Sequence, residues 1–197
     1  MRRGIGLYGF LQALVAPAPY FWQLYILRGR MLVRAEERKD WAAVYAVNAS
    51  TFETPAEAAL VNALREQAHP VVSLVAEEGG AIVGHIMFSP VSLPIHPELK
   101  IMGLAPMAVV YEHQRKGIGS ALVRVGLEHC RQLGFGAVVV LGHPVYYPRF
   151  KFLPSTHFDI GCEYEVPEEA FMIVELQPGF LRGACGKVQY PAAFRDV

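Results

Sequence analysis

Cysteine is scarce: Cys130, Cys162 and Cys185 are the only 3 in 197 residues. They are odd in number and far apart, and neither C-x-x-C nor a zinc-type His/Cys spacing occurs. The sequence therefore offers no disulfide framework and no metal site. It leads us to expect a reducing, cytoplasmic setting, with the cysteines as small hydrophobes in or near the core. Charge is scarce too. Asp, Glu, Lys and Arg make up 18% of the chain, below the ~25% usual for globular domains. The 18 basic residues balance 18 acidic ones, so no global field draws the chain to nucleic acid. Internal repeats and low-complexity segments are also lacking, which excludes solenoids and long linkers. The length suits one domain with a full core.

What the chain does have, near its start, is an uncharged run, "IGLYGFLQALVAPAPYFWQLYIL", residues 5–27. Arg2 and Arg3 precede it, and Arg28 and Arg30 follow. A bilayer span needs ~20 apolar residues, but Pro17 and Pro19 break a simple helix and Gln12 and Gln23 weaken it. "APAPY" is a poor signal-peptidase site. Three readings stand: an upstream extension before a start at Met31, a peripheral helix, or a membrane anchor. Membrane contact is expected only under the last. The expected division is residues 1–30 as an apolar extension and 31–197 as the functional domain.

Periodicity organises the rest. Leu32 to Ala35 reads as a strand, and Asp40 as the N-cap of a helix over "WAAVYAVNASTF". Thr54, Pro55 and Glu57 read as a capping box starting a second helix, to about Gln67, with an apolar stripe of Ala59, Leu60, Ala63 and Leu64. "VVSLVAEE" and "AIVGHIMFSPVSL" read as strands joined at Gly79-Gly80. "KIMGLAPMAVVYE" is a further strand, in which Pro106 predicts a bulge. A helix from Gly117, ended near Gly134, and the run "AVVVL" complete a strand–helix–strand crossover, hence a parallel pair. "VYYPRFKF" follows as a short aromatic helix. Later strands are expected near Phe158–Cys162, Phe171–Leu176 and Gly186–Tyr190.

The crossover carries an anomaly. Arg115 and Lys116 sit at the start of a helix, where the dipole favours anions, and no acidic residue lies in the first turn. A strongly anionic ligand would reconcile them. In "QRKGIG", Gln114 to Gly119, the glycines let backbone amides approach such an anion. The turn is not a P-loop, since no Lys-Ser/Thr follows Gly119. It is not a dinucleotide fingerprint either, since Leu122 stands at the third glycine. On this pattern alone, a glycine-rich turn with solvated Arg and Lys explains it equally well.

"QRKGIG" resembles the Q/R-x-x-G-x-G/A signature of the GNAT N-acyltransferases, and the element order from Met31 to Phe152 is similar to that fold. "LGHPVYYPRFKF", "EVPEEAFMIVEL" and "GKVQYPAAF" resemble the YhbS-type branch. The resemblance implies an α+β acyl-CoA N-acyltransferase fold. Its mixed, mainly antiparallel central sheet would be splayed between two parallel strands and flanked by helices. It implies acetyl-CoA as co-substrate, with no metal. The pyrophosphate would rest on Arg115, Lys116, Gly117, Ile118, Gly119 and Ser120 beside Gln114. The pantetheine arm would pair with Met107, Ala108 and Val109.

Amine acylation needs a base for the amine and an acid for the leaving thiolate. The family's acid is often a tyrosine in Tyr-x-x-x-Gly-Phe. Tyr147 fits that position, with Lys151 in place of the glycine, and Tyr146 is its neighbouring alternative. No glutamate lies in "GLAPMAVV", where many relatives place the base. His143 is carried as the substrate-site residue, with Glu77, His85 or a water chain as alternatives. The expected function is acetyl transfer to a small-molecule or protein amine, with homodimers frequent in the family. Two rivals are a non-catalytic acyl-CoA-binding module on the same fold and a membrane-associated interaction protein.

Overall fold

The computed structural model describes residues 25–27 and 31–196. Ten strands run in chain order: β1 (Tyr25–Leu27), β2 (Met31–Ala35), β3 (Val72–Glu78), β4 (Ala81–Val91), β5 (Ile101–Val109), β6 (Ala137–Leu141), β7 (Leu153–Pro154), β8 (Ile160–Cys162), β9 (Phe171–Glu175) and β10 (Gly186–Val188). Among the described residues three α-helices intervene: α1 (Trp41–Thr51), α2 (Ala56–Gln67) and α3 (Ile118–Gln132). The main sheet has 8 strands in the order β1-β2-β3-β4-β5-β6-β9-β7. Within it only β5 and β6 run parallel, while β8 and β10 form a separate parallel pair. Residues 1–24 and 28–30 of the expected apolar extension lie outside the described residues. Residues 25–27 pair with β2 as an edge strand.

The helices cover both faces. Ile86 and Phe88 of β4 join Leu122 and Val125 of α3 in one core cluster. Val75 and Met87, on the opposite face, join Val44, Leu60 and Leu64 of α1 and α2 in another. This is the strand period of two, read out against two helical layers. β6 shows why its sequence is a continuous apolar run. Val138 and Val140 enter the α3-side core. Ala137 and Val139 enter a third cluster, under the C-terminal strands, with Ile173 and Val188.

The β3–β4 hairpin turns at Gly79 and Gly80, at φ 60° and 84°, as a two-residue turn with both central residues left-handed requires. The expected strands from β2 to β6 appear, as do β8, β9 and β10. The two-residue β7 had no signal of its own; it forms by pairing with β9.

Three local expectations need correction. Asp40 does not cap α1; its carboxylate accepts from Arg34 at 2.6 and 2.9 Å and from the Glu37 amide at 2.8 Å, because a two-point ion pair with a guanidinium outcompetes a single bond from a neutral amide of the helix. The buried face of α2 is Ala58, Leu60, Val61 and Leu64 rather than a stripe that includes Ala59, which is exposed. The capping box does not close. Pro55 is the N-cap residue and no side chain caps the helix, while Thr54 Oγ1 accepts from the Ala56 amide at 3.3 Å. Of the cysteines, Cys130 and Cys162 are buried and Cys185 is exposed.

Candidate active site

The sheet opens where β5 leaves β6. Their parallel register runs from Ile101 opposite Ala137 to Leu104 opposite Val140 and stops there. On the other side of β5, Phe88 pairs with Leu104 but Ile86 pairs with Met107. Ala105 and Pro106 therefore oppose the single residue Met87, which is the bulge expected from a proline that cannot donate to the ladder. Past it, the Val110 amide donates to Val83 O at 3.0 Å. Peptide groups alternate in an antiparallel pair, so Met107 and Val109 turn theirs to the opposite edge, which no described strand covers. Val109 O there accepts from Gln114 Nε2 at 3.0 Å. Ala108 faces β4 and is buried.

That free edge runs into the start of α3. Arg115 has φ 58° and Gly117, the N-cap, φ 90°. No side chain caps the helix, and its first internal bond is from the Ala121 amide to Gly117 O at 3.0 Å. The amides of Ile118, Gly119 and Ser120 are left at the positive end of the helix dipole, a ready anion site. The groove in front of them measures about 630 Å³ and is lined by Met107, Val109, Arg115, Gly119, Ser120 and Tyr146. Arg149 also lines it, its guanidinium 4.6 Å from the Tyr146 ring centre. The sequence reading missed this second guanidinium; its signal was its place two residues after Tyr147. Lys116 is exposed and stands outside the lining.

Tyr146 and Tyr147 point to different places. The Tyr146 hydroxyl lies 3.5 Å from Ser120 Oγ. A Cβ on Gly119 would come within 2.8 Å of it, so the second glycine of "GIG" makes room for a tyrosine. Tyr147 lines a second cavity, of about 380 Å³, which shares the lining residue Met107 with the first groove. Its ring is held edge-on to Tyr146 at 5.1 Å and Phe152 at 5.5 Å, and burial pushes its phenol pKa well up. Its hydroxyl makes no hydrogen bond among the described residues. Lys151 takes φ 70°, so the turn after Tyr147 keeps the left-handed conformation that a glycine would adopt without strain.

Glu57 lines the same cavity, and its Oε2 is buried without a hydrogen-bond partner. Phe52, Tyr164, Tyr190 and Phe194 form much of the remaining wall. The other acid–base candidates lie elsewhere. His143 is exposed, with Nδ1 accepting from the Val145 amide at 3.5 Å, and lines neither cavity. Glu77 is paired with Arg34 at 2.9 Å. His85 is fully buried, bridging Asn48 Nδ2 and Ser73 Oγ, each at 3.0 Å. Desolvation pushes its pKa down to about 3. Among the described residues no group of three His, Cys, Asp or Glu side chains could hold a metal ion, and no helix is long and apolar enough to cross a membrane.

Comparison with known proteins agrees with this fold. The acetyltransferase (GNAT) family model matches residues 39–146. The chain is 36% identical over 165 residues to the uncharacterised N-acetyltransferase YhbS of Escherichia coli strain K12, covering 83% of this chain and 98% of YhbS. It is 39% identical over 138 residues to the uncharacterised N-acetyltransferase YjhQ of the same strain, covering 68% of this chain and 76% of YjhQ. The crystal structure of Escherichia coli YhbS in complex with CoA matches with a TM-score of 0.79, covering 84% of this chain and 92% of that one. A Brucella melitensis GNAT family acetyltransferase in complex with acetyl-CoA matches at 0.68, with 32% identity, covering 83% of this chain and 97% of that one. The chain belongs to the GNAT family of N-acetyltransferases.

Proposed function

We propose that this protein transfers an acetyl group from acetyl-CoA to a primary amine by direct attack of the amine on the thioester. The observation that carries the reading is the continuity of three features. An uncovered strand edge at Met107 and Val109 leads from an uncapped, cation-flanked helix start to a buried tyrosine. In this reading the amides of residues 115–120 hold the pyrophosphate. Arg115 and Arg149 neutralise it from the groove walls and Lys116 from outside. Met107 and Val109 offer their edge groups to the pantetheine amides, with Ala108 holding the strand to β4. The bound thioester supplies an activated acyl carbon and a thiolate leaving group.

Tyr147 then serves as the acid. Burial raises its pKa, so the phenol is protonated at neutral pH, and the same desolvation raises the basicity of a thiolate expelled beside it, which lets the proton pass from the phenol to sulfur. Tyr146, with its hydroxyl at Ser120, belongs to the phosphate end of the groove. His143, outside both cavities, has no part in this reading.

Calorimetric titration of acetyl-CoA into the full chain tests it, with a Gly117→Glu, Gly119→Glu double variant as control. A Kd on the order of micromolar, ~−8 kcal/mol, that is lost in the variant supports the assignment. Absence of heat with the folded wild-type protein overturns it. Binding without release of CoA thiol across a broad amine panel would favour the non-catalytic module instead.

A further inference from the structure

The second cavity carries one formal charge, and it is negative. Among the described residues that line it, Glu57 is the one carboxylate, and there is no Lys, Arg or His. A glutamate three residues after a threonine in a helix's first turn normally reaches back to cap the helix. Here Thr54 alone serves the Ala56 amide, and Glu57 Oε2 is buried with no partner. An unpaired buried carboxylate oxygen is costly to retain. Placed in a cavity that shares the lining residue Met107 with the proposed thioester groove, it calls for a cationic ligand.

The walls say what the rest of that ligand is. Tyr164 and Tyr190 lie with ring centres 5.8 Å apart, and Tyr190 and Phe194 4.9 Å apart. Rings attract an ammonium through their faces and an apolar body through area. The volume, about 380 Å³, is near the small end of the ~300–1,000 Å³ typical of small-molecule pockets. A compact molecule fits whole within that volume.

Building on the acetyltransferase reading, we propose that the acceptor is a compact, hydrophobic or aromatic primary amine without an anionic group, and that Glu57 receives its ammonium and takes its proton. The balance is simple. The ammonium gives one proton to the Glu57 carboxylate, which returns it to water. The freed nitrogen lone pair forms the C–N bond as the C–S bond breaks. Tyr147 protonates the departing thiolate and is restored by the second proton that the nitrogen sheds. The products are an N-acetylamine, CoA thiol and one proton in solution. An acceptor with a carboxylate beside its amine would set like charges against each other in a low-dielectric pocket, so amino acids are selected against.

The test uses the full chain with acetyl-CoA and three probes of similar body: 2-phenylethylamine, L-phenylalanine and 2-phenylethanol. Release of CoA thiol is followed, and binding to the CoA-saturated protein is measured by calorimetry. The expected result is turnover of 2-phenylethylamine, with kcat/KM for L-phenylalanine lower by tenfold or more and no turnover of the alcohol. Glu57→Gln is expected to lower kcat/KM for the amine by a hundredfold or more. Its acetyl-CoA affinity should be unchanged and its thermal midpoint equal or higher, because the half-buried side chain no longer places a carboxylate oxygen where it has no hydrogen-bond partner. Glu57→Asp should recover part of the loss. Equal use of L-phenylalanine and 2-phenylethylamine overturns the proposal. So does full activity in Glu57→Gln, or failure of 2-phenylethylamine to bind or react in a protein that binds acetyl-CoA normally. Failure to bind acetyl-CoA at all would instead strike the acetyltransferase reading beneath it.

Discussion

Two alanines placed two residues apart should act with opposite sign on stability. Gly117 caps α3 at φ 90° with open space around its missing Cβ. Alanine there meets no neighbour and is opposed only by its own backbone, which costs an L-residue ~1–2 kcal/mol in the left-handed region. Against that stands the ~0.5–1 kcal/mol of extra entropy that glycine loses on folding, which leaves a net penalty of about 1 kcal/mol, and at about 2–4 °C per kcal/mol for a chain of this size Gly117→Ala should melt about 2–4 °C lower, with or without ligand. Gly119 is different. It lies inside α3, where alanine is favoured over glycine by ~0.5–1 kcal/mol. Its Cβ would, however, stand 2.8 Å from the Tyr146 hydroxyl, and the tyrosine must leave its place beside Ser120 and beneath Arg149. Gly119→Ala should therefore melt at or above the wild-type midpoint yet bind acetyl-CoA about tenfold more weakly, ~1.4 kcal/mol. Thermal melts and calorimetric titration of both variants decide the matter. If Gly119→Ala melts lower alongside Gly117→Ala, the Tyr146 contact is not the reason for the second glycine. If its acetyl-CoA affinity is unchanged, Tyr146 is not part of the cradle.

Tyr147→Phe keeps the ring packing and removes a hydroxyl without a hydrogen-bond partner among the described residues. It should leave the thermal midpoint within a degree or two and lower kcat by ~10²–10⁴-fold, read by CoA thiol release with an acceptor found by screening. Lys151→Gly relieves the strain at φ 70° and should raise the midpoint by about 2–4 °C in thermal melts, since the ~1–2 kcal/mol left-handed penalty exceeds the entropy glycine loses. His85 binds no proton in the fold until about pH 3, against 6.5 unfolded. The unfolded chain thus takes up more protons than the folded one in between. His85 therefore contributes stability that is fully present above pH 6.5 and is lost as pH falls toward 3, at up to ~1.4 kcal/mol per pH unit. Urea melts at pH 7, 6 and 5 should show that slope in the wild type and lose it in His85→Gln.

The elements that the sequence made legible are those whose cause is local. Apolar alternation, the paired Gly79-Gly80 turn and the unbroken "AVVVL" run each fix the conformation of their own residues, and from β2 to β6 each stands where its pattern put it. "QRKGIG" was legible for the same reason: two cations against a helix dipole are a contradiction visible in six residues. Pro106 announced the bulge because a missing N–H is a property of one residue.

Long-range pairings escaped that reading. Asp40 looked like a cap until Arg34, on another element, claimed it. β7 exists only because β9 lies alongside. The acid–base residues were the least legible of all. His143 has suitable chemistry but is exposed and lines neither cavity, whereas Glu57 looked like a helix cap and lines the pocket. The sequence by itself determined the strand–helix–strand unit and the glycine turn at the start of α3, because backbone dihedrals and the dipole act over a few residues. Only the tertiary structure decided which tyrosine faces the second cavity and which carboxylate lies unpaired beside it, because burial and pairing depend on residues from α2, β5, β6 and the C-terminal segment meeting in space.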